Sequence, residues 1–154
     1  MVHRGLRAVA LTAALAAGAV AALAPSASAA GTITIEGFRA WAPPNNSPIP
    51  QPAVKPGRRL TKCQQKDAIM VIFKYRGMNE ARDKIKVNWL RNGKVFFNKG
   101  RSLAPDGTDG RAFRSLAPNS PGDPGVPNGT YKANVIVNGK VVKSATVVKA
   151  CPGL

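Results

Sequence analysis

From residue 32 onward, short stretches in which apolar and polar residues alternate recur along the chain, and none sustains a helical period. Thr32-Ile33-Thr34-Ile35-Glu36 alternates and predicts a first strand. Ala68 to Tyr75 is a β-branched and aromatic run of strand length and predicts a central strand. Between Lys84 and Trp89 the alternation puts Ile85, Val87 and Trp89 on one face and Lys84, Lys86 and Asn88 on the other. Asn92-Gly93 follows, a pair that adopts the two positive φ angles of a type I′ turn at little cost, so Lys94 to Asn98 returns as the partner strand. The device recurs downstream, where Tyr131 to Val137 leads into Asn138-Gly139 and Lys140 to Lys149 comes back. Gly100 to Asn128 is rich in Gly, Pro, Asp and Ser, with Arg111 to Leu116 as its strand candidate.

Residues 43–57 contain Pro43, Pro44, Pro48, Pro50, Pro52 and Pro56, a spacing that works against a hydrogen-bonded ladder and predicts a stiff, extended strap. The elements sum to about seven short strands with turn signals, hence a single all-β, antiparallel β-sandwich. Pro127-Asn128-Gly129-Thr130-Tyr131, opening the penultimate strand, resembles the end of exported bacterial immunoglobulin-like or fibronectin-like domains. Trp89, on a third or fourth strand, suits such a core. The resemblance spans Asp67 to Lys149 and implies an immunoglobulin-like sandwich. The cysteines depart from that pattern, because an immunoglobulin bridge joins two mid-strand positions, whereas Cys63 precedes a strand and Cys151 ends the last one.

Ahead of the first strand, Arg4 and Arg7 precede an uncharged Ala, Leu and Val stretch from Ala8 to Ala24, followed by Pro25 and Ser26-Ala27-Ser28-Ala29-Ala30. This predicts a secretory signal peptide over residues 1–30, cleaved after Ala29 or Ala30. A retained anchor fits less well, since a stable span takes roughly 20 strongly apolar residues. The expected organisation is therefore 1–30 as leader, 31–62 as first strand plus proline-rich strap, and 63–151 as the sandwich core. Export makes an even cysteine count read as a Cys63–Cys151 disulfide, with two buried free thiols as the alternative. The expected setting is extracellular, free or adsorbed to the cell surface, with no stable membrane anchor.

Charge narrows the partners. The chain has 23 Lys plus Arg against 7 Asp plus Glu; Arg4 and Arg7 belong to the leader, which leaves 21 against 7 and a net charge of +14. Such an excess attracts anionic surfaces: wall polymers, acidic polysaccharide, anionic lipid or nucleic acid. Lys74, Lys84, Lys86, Lys132 and Lys140 fall on outward positions of predicted strands, and Arg58, Arg59 and Lys62 lie in the strap. Side-by-side strands would merge them into one anion-binding face; the competing role is the blocking of edge-to-edge aggregation. Phe73, Trp89, Phe97 and Tyr131 read as core residues and not as stacking platforms for bases, which favours generic polyanion adsorption and makes nucleic-acid binding nonspecific.

Chemistry is sparse. The one histidine, His3, lies in the leader, which removes His-based triads, acid–base work and His-containing metal sites. Glu36, Asp67, Glu80, Asp83, Asp106, Asp109 and Asp123 are scattered, which disfavours a carboxylate pair of glycosidase type. Asp106 to Gly110 lacks the closing Glu of a calcium loop and reads as a solvated turn. The sequence thus points to a non-catalytic module without cofactor or metal, adsorbing to an anionic surface polymer or polysaccharide. A second reading is a secreted protease inhibitor, with a protein partner met by a rigid loop at 43–57 or 117–128.

Overall fold

In a computed structural model, which describes residues 31–41, 53–64, 67–116 and 125–152, the alternating stretches form strands in two sheets. The strands are β1 (Thr32–Trp41), β2 (Arg59–Leu60), β3 (Ala68–Arg76), β4 (Ile85–Arg91), β5 (Lys94–Phe97), β6 (Gly110–Leu116), β7 (Gly129–Val137) and β8 (Lys140–Lys149). One sheet has the order β1-β3-β6 and the other β2-β8-β7-β4-β5. Neighbours run antiparallel except β2, which lies parallel to β8. The leader at 1–30, most of the strap (42–52) and much of the second proposed inhibitor loop (117–124) lie outside the described residues.

One core joins the sheets. Ile33, Ile35, Phe38 and Ala40 of β1 and Ile69, Val71, Phe73 and Tyr75 of β3 face Ile85, Val87 and Trp89 of β4 and Tyr131, Ala133, Val135 and Val137 of β7. Phe38 meets Trp89 edge-on at 6.3 Å, the preferred arrangement of two ring quadrupoles, and this pair ties β1 to β4 across the interior. Tyr131 is fully buried and donates its hydroxyl hydrogen to the carbonyl of Pro127 at 2.6 Å, so its polar end is satisfied.

Both hairpin turns form as expected. Asn92 and Gly93 have φ of 49° and 79°, Asn138 and Gly139 of 50° and 82°, the pair of positive angles a type I′ turn needs. β3 lies centrally in its sheet; besides its core face, Ala68, Met70 and Ile72 form a second buried cluster with Trp41.

Three expectations need amendment. β1 runs to Trp41, not Glu36, because a bulge between Ile35 and Gly37 shifts its phase, so strict alternation stops in the sequence while the strand continues. The strap does not wholly avoid pairing: Val54 exchanges two 2.9 Å hydrogen bonds with Phe38, at a position where proline does not remove the N–H. A Cβ on Gly37 would sit 2.6 Å from the Val54 carbonyl, so glycine permits this approach. Finally, the two-residue β2 was too short to show in the pattern.

Cys63 and Cys151 are disulfide-bonded, with Cα atoms 4.9 Å apart, and the bridge spans 88 residues. It ties the segment after β2 to the end of β8. Replacing both cysteines with alanine should lower unfolding free energy by about 4 to 5 kcal/mol through the larger entropy of the open unfolded chain. Denaturant titration reads this directly; an unchanged midpoint would show that the cross-link contributes nothing.

Candidate anion-binding face

The outward face of the five-stranded sheet follows from its register. Because Ile85, Val87 and Trp89 turn inward, Lys86, Asn88 and Leu90 turn outward; on β7, Tyr131, Ala133 and Val135 do the same for Lys132, Asn134 and Ile136. Lys86 is opposite Ile136, Asn88 opposite Asn134, and Leu90 opposite Lys132. One strand further, Thr146 faces Lys132 and Ser144 faces Asn134, whose Oδ1 accepts the Ser144 hydroxyl at 2.7 Å. A neutral polar row, Asn88-Asn134-Ser144, therefore separates Lys86 from Lys132.

Around this centre the structure places most of the expected cations. Lys84 precedes β4, and its N–H donates to Asn138 Oδ1 at 2.9 Å while Asn138 N–H donates to the Lys84 carbonyl at 3.0 Å. Lys84 and Lys86 gather at the hairpin end of this face; Lys140 leaves the same turn but stands opposite Val137, which turns inward, so it does not join the outward row as its place in the sequence suggested. Arg59 pairs with Val148 at the opposite, disulfide end; Arg58 precedes it, and Lys62 follows β2 beside Cys63. Of the described carboxylates, Asp83 stands at this hairpin end, next to Lys84 and accepting from Asn138 Nδ2 at 2.8 Å, whereas Glu36 is on β1, Asp67 in the interior, Glu80 before β4, and Asp106 and Asp109 before β6.

Lys74 does not join this face. It projects from β3 on the other sheet, where its Nζ lies 2.9 Å from Glu36 Oε1 and Arg111 Nε lies 2.5 Å from Glu36 Oε2. The hydrogen bond from Lys74, followed by that from Arg111, holds the Glu36 carboxyl below its usual range. Alternation marked Lys74 as outward but carried no information on which sheet β3 would enter.

Two further features, one on each sheet, were not apparent from the alternation. Phe113 is 60% exposed on β6, opposite Ile72. A cavity of about 370 Å³ opens at the hairpin end, lined by Lys84, Lys86, Asn88, Ser102, Ile136 and Gly139. Ser102 arrives there because Leu103 pairs with Ile85 through hydrogen bonds of 2.8 and 3.0 Å, running the chain along the free edge of β4. Asn88 Oδ1 is shielded from solvent and accepts no hydrogen bond.

The interior holds an unexpected cation. Lys149 is 1% exposed and donates to the carbonyl of Asp67 at 2.6 Å and to that of Val126. It sits two residues beyond inward-facing Val147, so the β8 alternation did signal it. Burial, partly opposed by Asp67, pushes its ammonium down to about 8; burial likewise pushes the Tyr131 phenol up to about 12. Among the described residues no group of three or more His, Cys, Asp or Glu side chains is placed to hold a metal ion, and no helix is long and apolar enough to cross a membrane. No protein-family model matches the chain, and no curated protein matches it.

The two shifts predict opposite pH responses. Lys149 titrates near 8 folded and 10.5 unfolded, so between those values the unfolded state holds the extra proton and stability rises with pH. By pH 10 the gain should reach roughly 2 to 3 kcal/mol. Tyr131, near 12 folded and 10.0 unfolded, reverses the trend above pH 10, since there the folded state holds the extra proton. Urea titrations from pH 7 to 11 should show this rise and turnover, and Lys149→Met should flatten the rising limb; a flat native profile would contradict the assignment.

Proposed function

We propose that this is an exported, non-catalytic, immunoglobulin-like binding module that presents the outer face of its five-stranded sheet to anionic polymers of the cell surface. The observation that carries the reading is the company of the cations: Lys86, Lys132 and Arg59 turn outward on one sheet, Lys84 stands just before it, and the carboxylate at that end, Asp83, is held by Asn79 and Asn138. Glu36 instead sits on the other sheet, beside Lys74 and Arg111. A surface on which cations outnumber carboxylates raises the concentration of an anionic chain near it and sets the sign of the partner.

The immunoglobulin-like assignment draws support from strand partition. The first, third and sixth strands form one sheet, and the fourth, seventh and eighth lie together in the other, as A-B-E lies against C-F-G. Tyr131, near the start of β7, bonds back to Pro127 in the manner of a tyrosine corner. Export rests on the leader pattern of residues 1–30. No described feature favours protease inhibition.

Binding of the purified protein to an acidic polymer, followed across a salt series, tests the proposal. Affinity should fall with rising salt, and Lys84→Glu/Lys86→Glu/Lys132→Glu together should lower it about tenfold or more at low ionic strength. Lys74→Gln, on the opposite face, should leave it unchanged. Equal binding by the native and charge-reversed proteins would show that this face is not the site.

A further inference from the structure

We propose that the free edge of β6 is a docking site for an extended, acidic polypeptide segment of a partner protein, which adds to the three-stranded sheet as a further strand. The site lies on the other sheet from the cationic face and does not rest on that reading.

Which backbone groups β6 offers follows from the register. Phe38 spends its N–H and C=O on Val54, so its pairing with Val71 is of the kind without hydrogen bonds, and Val71 turns its own N–H and C=O the other way, to Arg114. Such pairs alternate along an antiparallel ladder, so Arg111, Phe113 and Ser115 turn their N–H and C=O groups off the sheet. Among the described residues no strand lies beyond them. The other edges are covered or short. Val54 bridges β1, Leu103 bridges the start of β4, β2 lies along β8, and β5 has four residues, a bulge in its ladder and Lys94 at its start. β6 has seven residues and no proline, which makes it the long open edge among the described strands.

The side chains of this edge specify an acidic chain. Arg114 shares the inner face of β6 with Ala112 and Leu116, where burial pushes its guanidinium below the usual range, and no described carboxylate forms an ion pair with it. Its Nη1 donates instead to the Phe113 carbonyl at 2.7 Å, one of the groups that face off the edge. Nε is the enclosed nitrogen; Nη2 carries no bond and stays open to solvent. Arg114 thus caps the edge while it is empty. A carboxylate brought alongside takes the guanidinium as a charge-assisted partner and releases that carbonyl for an incoming N–H. On the outer face Phe113 is 60% exposed opposite Ile72, an apolar surface for the residue that pairs with it. Neighbours on a strand take opposite faces, so a segment that alternates acidic and apolar residues meets Arg114 and Phe113 together. A polysaccharide or polyphosphate satisfies the guanidinium but brings no row of N–H and C=O groups, and it leaves the edge unpaired.

The test uses the purified protein and a short acetylated and amidated peptide of alternating valine and glutamate, equal in number. Two further copies are N-methylated, one at its valines and the other at its glutamates, so side chains and charge match while different N–H groups are lost. A residue opposite Phe113 bonds the edge through both its backbone groups, so the valine N–H groups point to β6 and the glutamate N–H groups away. Fluorescence anisotropy, at salt high enough to suppress adsorption to the cationic face, should show the glutamate-methylated copy binding like the parent and the valine-methylated copy about tenfold more weakly. Arg114→Gln should lower the affinity of the parent peptide several-fold. Ser115→Pro should abolish binding with the thermal midpoint kept, since that N–H takes no part in the β3 ladder. Equal affinity for the two methylated copies means capture by charge alone and overturns the proposal, as does failure of the native protein to bind the parent peptide. A dimer of the native protein that Ser115→Pro dissolves, without peptide binding, puts a second copy on the edge and overturns it too. The methylated copies are compared on the native protein, so a variant that fails to fold leaves that comparison decisive.

Discussion

Phe38 and Trp89 meet edge-on in the middle of the molecule, and the burial of the apolar faces around them constrains everything outside. A sheet has two faces and a side-chain period of two, so fixing Ile85, Val87 and Trp89 inward leaves Lys86 and Asn88 no choice but solvent. A slip of one residue would bury a lysine and an asparagine and expose a tryptophan. The register of the outer face is thus held by the hydrophobic effect acting on the inner one, at roughly 2 to 3 kcal/mol for each large side chain kept from water. The arrangement of the outer residues therefore needs no stabilising contacts of their own.

Where a lone sequence carried local information, it located the elements well. Both Asn-Gly turns, the inward sets of β4 and β7 and the central place of β3 are local consequences of backbone preference and alternation. What it missed depends on contacts between distant segments. The bulge in β1 hid half a strand because a phase shift looks like the end of alternation. Val54 and β2 pair only through partners that lie far away along the chain, at Phe38 and Val148. Lys149 sits in the inward row of β8, and composition alone argues against placing a lysine there.

The candidate site divides in the same way. Lys86 and Lys132 were legible as outward positions and turn outward on one sheet, with Lys84 just before it, whereas Lys140, equally legible as outward, stands opposite inward-facing Val137 because a bulge shifts the β7–β8 register. Lys74 was equally legible as outward, yet sheet membership is a tertiary property, and β3 carries it to the opposite side. The cavity was not legible at all, since Ser102 comes from a segment with no strand pattern and reaches β4 through a single bridge at Leu103.

Charge and shape then perform separate tasks on this surface. Long lysine stems place mobile point charges that attract any polyanion and lose much of that attraction as salt rises. Selectivity requires a group that is fixed in place and that a ligand can still reach. Asn134 cannot serve, because its Oδ1 already takes the Ser144 hydroxyl. Asn88, in the same row, cannot serve either, because the surrounding protein closes its Oδ1 to anything of the size of water. The neutral row thus spaces Lys86 from Lys132 without offering either carboxamide oxygen to a ligand, and the position of each outward charge is set by the register of the inner face.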